Sequence, residues 1–171
     1  GSGRTSLLNA IASQTSHPFI SDSWPMDGDP VKNMVTQTAA HFLSHNLPSV
    51  VSETILQLSE ELERKDGPIP LIAFDLPYNV EVDRVIPRIA QIMQKMRALV
   101  VFTMLPKQLQ SLDEETLEIF DTPYVLKNLE QVEIQLLVDR RIARAARQRW
   151  IIRPLLLEKI HELTEGLPRA V

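Results

Sequence analysis

Two short stretches of the chain carry almost nothing but apolar residues. Residues 70–74 read Pro-Leu-Ile-Ala-Phe and end at Asp75; residues 98–102 read Ala-Leu-Val-Val-Phe and end at Thr103. Each is strand length, and each is followed by a polar residue and then a proline, Pro77 or Pro106. Continuous apolar character over so short a length predicts strands covered on both faces, as in a parallel sheet. Around them the period changes. Val51, Ile55, Leu58 and Leu62 recur at helical spacing, as do Ile86, Ile89, Met93 and Met96, and each set makes one apolar stripe. Ser111 and Glu114 stand in a capping-box pattern that predicts a helix running to about Phe120. Tyr124, Val125 and Leu126 predict a further short strand. The alternation of helix and strand implies an α/β layer with parallel strands.

After Leu129 the strand signal ends. One helix is predicted from Glu130 to about Arg149. Another is begun or interrupted by Pro154, carries Leu156, Ile160 and Leu163, and stops at Gly166 before Pro168. Residues 1–129 therefore read as an α/β core and residues 130–171 as the start of a small helical subdomain. Residues 15–35, with Pro18, Pro25, Gly28, Asp29 and Pro30, read as one long loop.

Composition narrows the class. The 171 residues are 44% hydrophobic and 23% charged, a globular balance. The absence of cysteine excludes a disulfide scaffold, a cysteine zinc site and a thiol nucleophile. The apolar runs are far too short for a membrane span, and no charged-then-apolar leader opens the chain. The expectation is a soluble cytoplasmic protein with no membrane partner. Net charge is −4 but unevenly placed. Residues 139–153 hold six arginines against one acid, a net +5, while the rest carries twelve bases against twenty-one acids, a net −9. A polyanion would be met by one segment and not by the whole surface.

Ligands of open α/β sheets bind beyond the carboxyl ends of the strands. Asp75 and Thr103 occupy two such ends. A carboxylate there can hold a metal or its water shell, and a hydroxyl can sense a phosphate; the plainer reading is a turn opener before Pro77 and a strand cap. The amino terminus reads Gly1, Ser2, Gly3, Arg4, Thr5 and Ser6 ahead of a helix-like Leu7-Leu8-Asn9-Ala10-Ile11-Ala12. A P-loop reads G-x-x-x-x-G-K-[ST] at the start of a helix, with backbone N–H groups around the phosphates, a lysine on the β and γ oxygens and a hydroxyl on magnesium. Aligning Gly3, Arg4 and Thr5 with its last three positions puts the first glycine ahead of Gly1 and arginine in place of lysine. The plainer reading is a cloning scar before an ordinary helix.

In this order the motifs resemble those of an AAA+ type P-loop ATPase domain, nearest the initiator-like and transposition-helper-like members, over nearly all of the chain. Residues 1–6 are similar to the end of Walker A. Leu71, Ile72, Ala73, Phe74 and Asp75 look like the Walker B strand, and Thr103 looks like the sensor 1 residue. Gly166, Leu167, Pro168 and Arg169 resemble the G-x-P-R sensor 2 motif. The resemblance implies ATP and Mg²⁺ as cofactors. Residues Gly1 to Ser6 would bind the nucleotide, Thr5 and Asp75 would lie on the metal, and Thr103 and Arg169 would be catalytic contacts to the γ-phosphate. It also implies a parallel-sheet P-loop NTPase core with its first strand missing, hence a gap or an exposed edge and a fragment truncated inside Walker A.

Three positions depart from the pattern. Leu76 stands where the family has the glutamate that orients the attacking water. Arg4 replaces a lysine and is larger and forked. Ile119-Phe120 stands where many relatives carry Arg-Phe. The expected function is an ATP-binding module used as a conformational switch, with at most weak ATP hydrolysis. The alternatives are a degenerate scaffold or DNA-associated module that needs no nucleotide, and a regulatory signalling-type ATPase.

Arg140, Arg144 and Arg147 share one predicted helical face. They suit contact with DNA, contact with a neighbouring subunit's nucleotide in a homo-oligomer, or a solvated face. His41 and His45 stand four apart, but Phe42 replaces the glutamate of H-E-x-x-H, so a metal site is not expected there. Glu60, Glu61 and Glu63 read as a solvated face, Asp113, Glu114 and Glu115 as a helix N-terminus, and Met93 and Met96 as core.

Overall fold

The computed structural model describes residues 3–25, 27–43, 47–120, 123–145 and 153–167. They form two compact units, one of Leu8–Pro123 and one of Gly1–Leu7 with Tyr124–Val171.

The larger unit is built on three parallel strands in the order β1 (Phe19–Ser23), β2 (Leu71–Asp75), β3 (Leu99–Thr103). Helices α2 (Pro30–Phe42) and α3 (Val51–Arg64) lie between β1 and β2 in the chain, and α4 (Val82–Met93) lies between β2 and β3. The two apolar runs of the sequence are thus β2 and β3, and the architecture is the α/β parallel sheet that they imply. Register sets which side chains share a face. Ile20, Ile72 and Val100 are partners in one row, and Asp22, Phe74 and Phe102 in another. Because side chains alternate along a strand, these rows share one face. The main core is packed there: Ile72 and Phe74 with Met34 and Phe42 of α2, Leu58 and Leu62 of α3, and Ile86, Ile89 and Met93 of α4. Phe74 stacks on Phe102 at 5.4 Å, and Phe102 meets Phe120 edge-on at 5.7 Å. The opposite face carries Ser23, Asp75 and Thr103 in a single register row.

Local chemistry sets the ends of these elements. Asp29 caps α2, its Oδ1 accepting the Val31 N–H at 3.0 Å, with Pro30 in the first turn. Arg88 of α4 reaches Asp29 Oδ2 at 3.3 Å. Burial opposes the charged Asp29 carboxylate, but the Val31 amide and Arg88 outweigh it and hold its pKa below the usual carboxylate range. The sign follows: this stability is present above the unfolded pKa, near 3.8, and is lost as pH falls through the lower folded value. Asp29→Ala is expected to cost about 1 kcal/mol at neutral pH, read by urea denaturation. The difference from wild type should shrink below about pH 4, and a difference unchanged at pH 3 would remove the carboxylate from this role. His17 donates from Nδ1 to Ile69 O at 2.6 Å ahead of the sheet, and Arg97 donates to Lys65 O and Gly67 O, tying down the turn between α3 and β2.

Three sequence expectations need correction. Residues 15–35 are not one loop: they contain β1 and the start of α2. β1 was hidden because only Phe19 and Ile20 of its five residues are apolar. Residues 124–126 are not a strand; Tyr124 and Val125 stand exposed, so neither side chain gains from pairing into a sheet. The helix after Ser111 is capped two residues later, by Asp113, whose Oδ1 accepts the Thr116 N–H at 2.8 Å, and it spans only Glu114–Glu118 (α6). A short α5 (Pro106–Leu109) precedes it. Met93 and Met96 are buried as expected. His41 lies on the last turn of α2 and pairs with Asp22 at 2.7 Å, whereas His45 lies outside the described residues.

In the smaller unit, α7 (Gln131–Ala145) and α8 (Pro154–Thr164) pack together, with Ile134 and Leu157 buried. Gly166 follows α8 with φ 73°, and its carbonyl accepts the Leu129 N–H at 2.8 Å. Among the described residues no helix is long and apolar enough to cross a membrane.

Candidate functional site

The carboxyl end of the sheet brings together two of the residues singled out by sequence. Asp75 is the last residue of β2 and Thr103 the last of β3, and they are register partners. Thr103 Oγ1 donates to Asp75 Oδ1 at 2.5 Å, a short, charge-assisted bond. Thr103 is 8% exposed and Asp75 is half-buried at the strand end. The hydroxyl bond holds one carboxylate oxygen, and the pair stands at the end of the sheet where ligands of this architecture bind. Ser23 completes the row beside Asp75. It went unnoticed in the sequence because β1 did.

Position 76 belongs to the other face. Leu76 is fully buried in the main core cluster, and its N–H donates to Thr103 O at 3.0 Å. The departure from the resembled pattern is therefore a core residue. Phe120 likewise packs against Phe102.

Gly3 has φ 81°, a left-handed value that glycine adopts at little cost, and α1 (Arg4–Gln14) begins at once after it. The Leu7 N–H bonds Gly3 O at 2.9 Å. Gly3, Arg4, Thr5 and Ser6 belong to one compact unit, and Asp75 and Thr103 to the other. Gly1, Ser2, Arg147 and Arg169 lie outside the described residues. Arg140 and Arg144 are exposed one turn apart on α7. No group of three or more His, Asp or Glu side chains placed to hold a metal occurs among the described residues. A surface hollow of about 360 Å³ lined by Pro25, Asp27, Asn33, Thr36 and Gln37 includes none of the predicted site residues.

The fold and this strand-end pair define an α/β domain with a parallel sheet and a polar carboxyl edge. No family model matches the chain, and no curated protein matches it. Among solved structures the chain is similar to one from Drosophila, ORC bound to AT-rich DNA and Cdc6. The likeness has a TM-score of 0.47 at 12% identity and covers 96% of this chain and 71% of that one.

Proposed function

We propose that the chain is an ATP-binding, AAA+ like module that uses nucleotide as a conformational switch and hydrolyses it weakly. The observation that carries the reading is the hydrogen-bonded pair of Asp75 and Thr103 at the ends of adjacent parallel strands. In this reading Asp75 holds the Mg²⁺ side of the triphosphate, and Thr103 orients that carboxylate and senses the γ-phosphate. Gly1 to Ser6 surround the phosphates, with Thr5 on the metal, and Arg169 brings the lid, residues 130–171, to the γ-phosphate. The roles of Gly1 to Ser6 and of Arg169 rest on the sequence resemblance. Mg²⁺ would supply charge neutralisation at the β and γ oxygens. Leu76 cannot accept a proton from an attacking water, which supports slow turnover.

Nucleotide titration tests this. ATP at about a hundred times its Kd should stabilise the protein by ~2.7 kcal/mol, and EDTA should remove most of that gain. Asp75→Ala is expected to weaken Mg²⁺-dependent affinity at least tenfold, the order expected when a metal contact is lost. Absence of any ATP–Mg²⁺ stabilisation in the wild type, or an Asp75→Ala variant with full Mg²⁺ dependence, would defeat the reading.

A second reading, a scaffold that kept the architecture and contacts DNA without nucleotide, draws support from the altered positions Arg4, Leu76 and Ile119, of which Leu76 serves the core. It draws further support from the exposed Arg140 and Arg144, which suit a phosphate backbone.

A further inference from the structure

Gln108 reads in the sequence as an ordinary polar residue of a Pro-Lys-Gln-Leu turn, yet it is only 7% exposed. Burying a primary amide is costly unless its hydrogen bonds are remade. Gln108 remakes three of them on two separate loops. Its Oε1 accepts the Leu105 N–H at 2.9 Å, and its Nε2 donates to Pro77 O at 2.8 Å and to Val80 O at 3.4 Å.

The positions of those partners matter. Pro77 lies two residues beyond Asp75, and Leu105 lies two residues beyond Thr103. The Leu76 N–H to Thr103 O bond ties β2 to β3 at the strand ends. Beyond it, Gln108 supplies a side-chain bridge that continues the connection between the diverging chains. It thereby fixes the backbone on the outgoing side of both members of the strand-end pair. A loop held at Pro77 and Val80 cannot swing Asp75 away without breaking buried amide bonds.

We propose that Gln108 is a positioning residue for the Asp75–Thr103 pair, holding the carboxylate in the orientation that receives Mg²⁺. The proposal rests on the reading of that pair as the metal side of a nucleotide site. It adds a residue that touches neither metal nor nucleotide and acts through the loops that carry their contacts. Apolar packing at position 108 would fill the same space without linking the loops, so the two roles can be separated.

The test compares ATP affinity with Mg²⁺ and with EDTA in the 171-residue chain. Gln108→Met keeps the length of the side chain and removes the amide. It is expected to reduce the Mg²⁺-dependent gain in affinity roughly tenfold, as loss of a supporting partner behind a metal ligand does, and to leave affinity in EDTA unchanged. Leu112→Ala, which opens the nearby core without removing either loop bond, should lower Tm and keep the full Mg²⁺ gain. If Gln108→Met does not fold, Gln108→Glu serves: it keeps the acceptor for Leu105, loses the donor to Pro77 and Val80, and should show the same loss. A full Mg²⁺ gain in the Gln108 variant, or an equal loss in Leu112→Ala, overturns the positioning role and leaves the nucleotide reading standing. A wild type with no Mg²⁺-dependent binding overturns both.

Discussion

Replacing Gly166 by alanine is expected to unfold the helical pair α7 and α8. Two effects add. Gly166 sits at φ 73°, where an L side chain is strained, at about 1–2 kcal/mol. A Cβ built there would also lie 2.3 Å from Leu129 O and 2.9 Å from Leu129 N. Those are backbone atoms, so no rotamer change relieves the contact. Separation would break the Leu129 N–H to Gly166 O bond, at about a further 1 kcal/mol. A total of about 2–3 kcal/mol is a large share of what a small unit has. Loss of hydrogen-exchange protection across α7 and α8, with β2 and β3 amides still protected, is the expected signature. Unchanged protection in Gly166→Ala would show that the loop from Leu129 can yield. This geometry accounts for the glycine of the G-x-P-R resemblance by packing alone, without any ligand.

The second large effect concerns position 76. Restoring the glutamate of the resembled pattern, Leu76→Glu, is expected to damage the fold and not to restore hydrolysis. Leu76 has no exposed surface and is part of the cluster with Phe74, Val82 and Ile86. A carboxylate placed there loses its hydration and must either take up a proton or open the core. The cost is at least about 3 kcal/mol, a fall in Tm of roughly 6–12 °C for a chain of this size. A thermal melt and an ATP turnover assay decide it together. A Leu76→Glu protein with wild-type Tm and faster turnover would mean that the side chain at 76 turns to the ligand end of the sheet, and the slow-turnover argument would fall. The contrast with Asp75 is one of parity. Neighbouring positions at a strand end face opposite ways, and here the odd face carries the polar row and the even face the core.

β2 and β3 were legible because both are continuous apolar runs; β2, the middle strand, is buried along its centre as that pattern implies, whereas β3 is an edge of the sheet and is only partly covered. The stripes of α3 and α4 were legible because a helix packed on a sheet needs one apolar face. Asp75 and Thr103 stood out as the first polar residues after those runs. β1 was not legible. Only Phe19 and Ile20 of its five residues are apolar, and its pairing with β2 is a long-range contact that no local pattern encodes. The strand expected at residues 124–126 failed for the complementary reason: local preference was present, but no pairing is formed. Gln108 was invisible because a buried amide and a solvated one have the same sequence; only the approach of two loops separates them.

The order of residues alone therefore determined the class of the fold, its two apolar strands β2 and β3 and the polar residues that end them, since periodicity is a local property of the sequence. Tertiary structure alone decided the register that sets Thr103 against Asp75, the face that takes Leu76 into the core, and the meeting of Gly166 with Leu129. These depend on which distant segments share space, and the free energy of such contacts belongs to the pair and not to either residue.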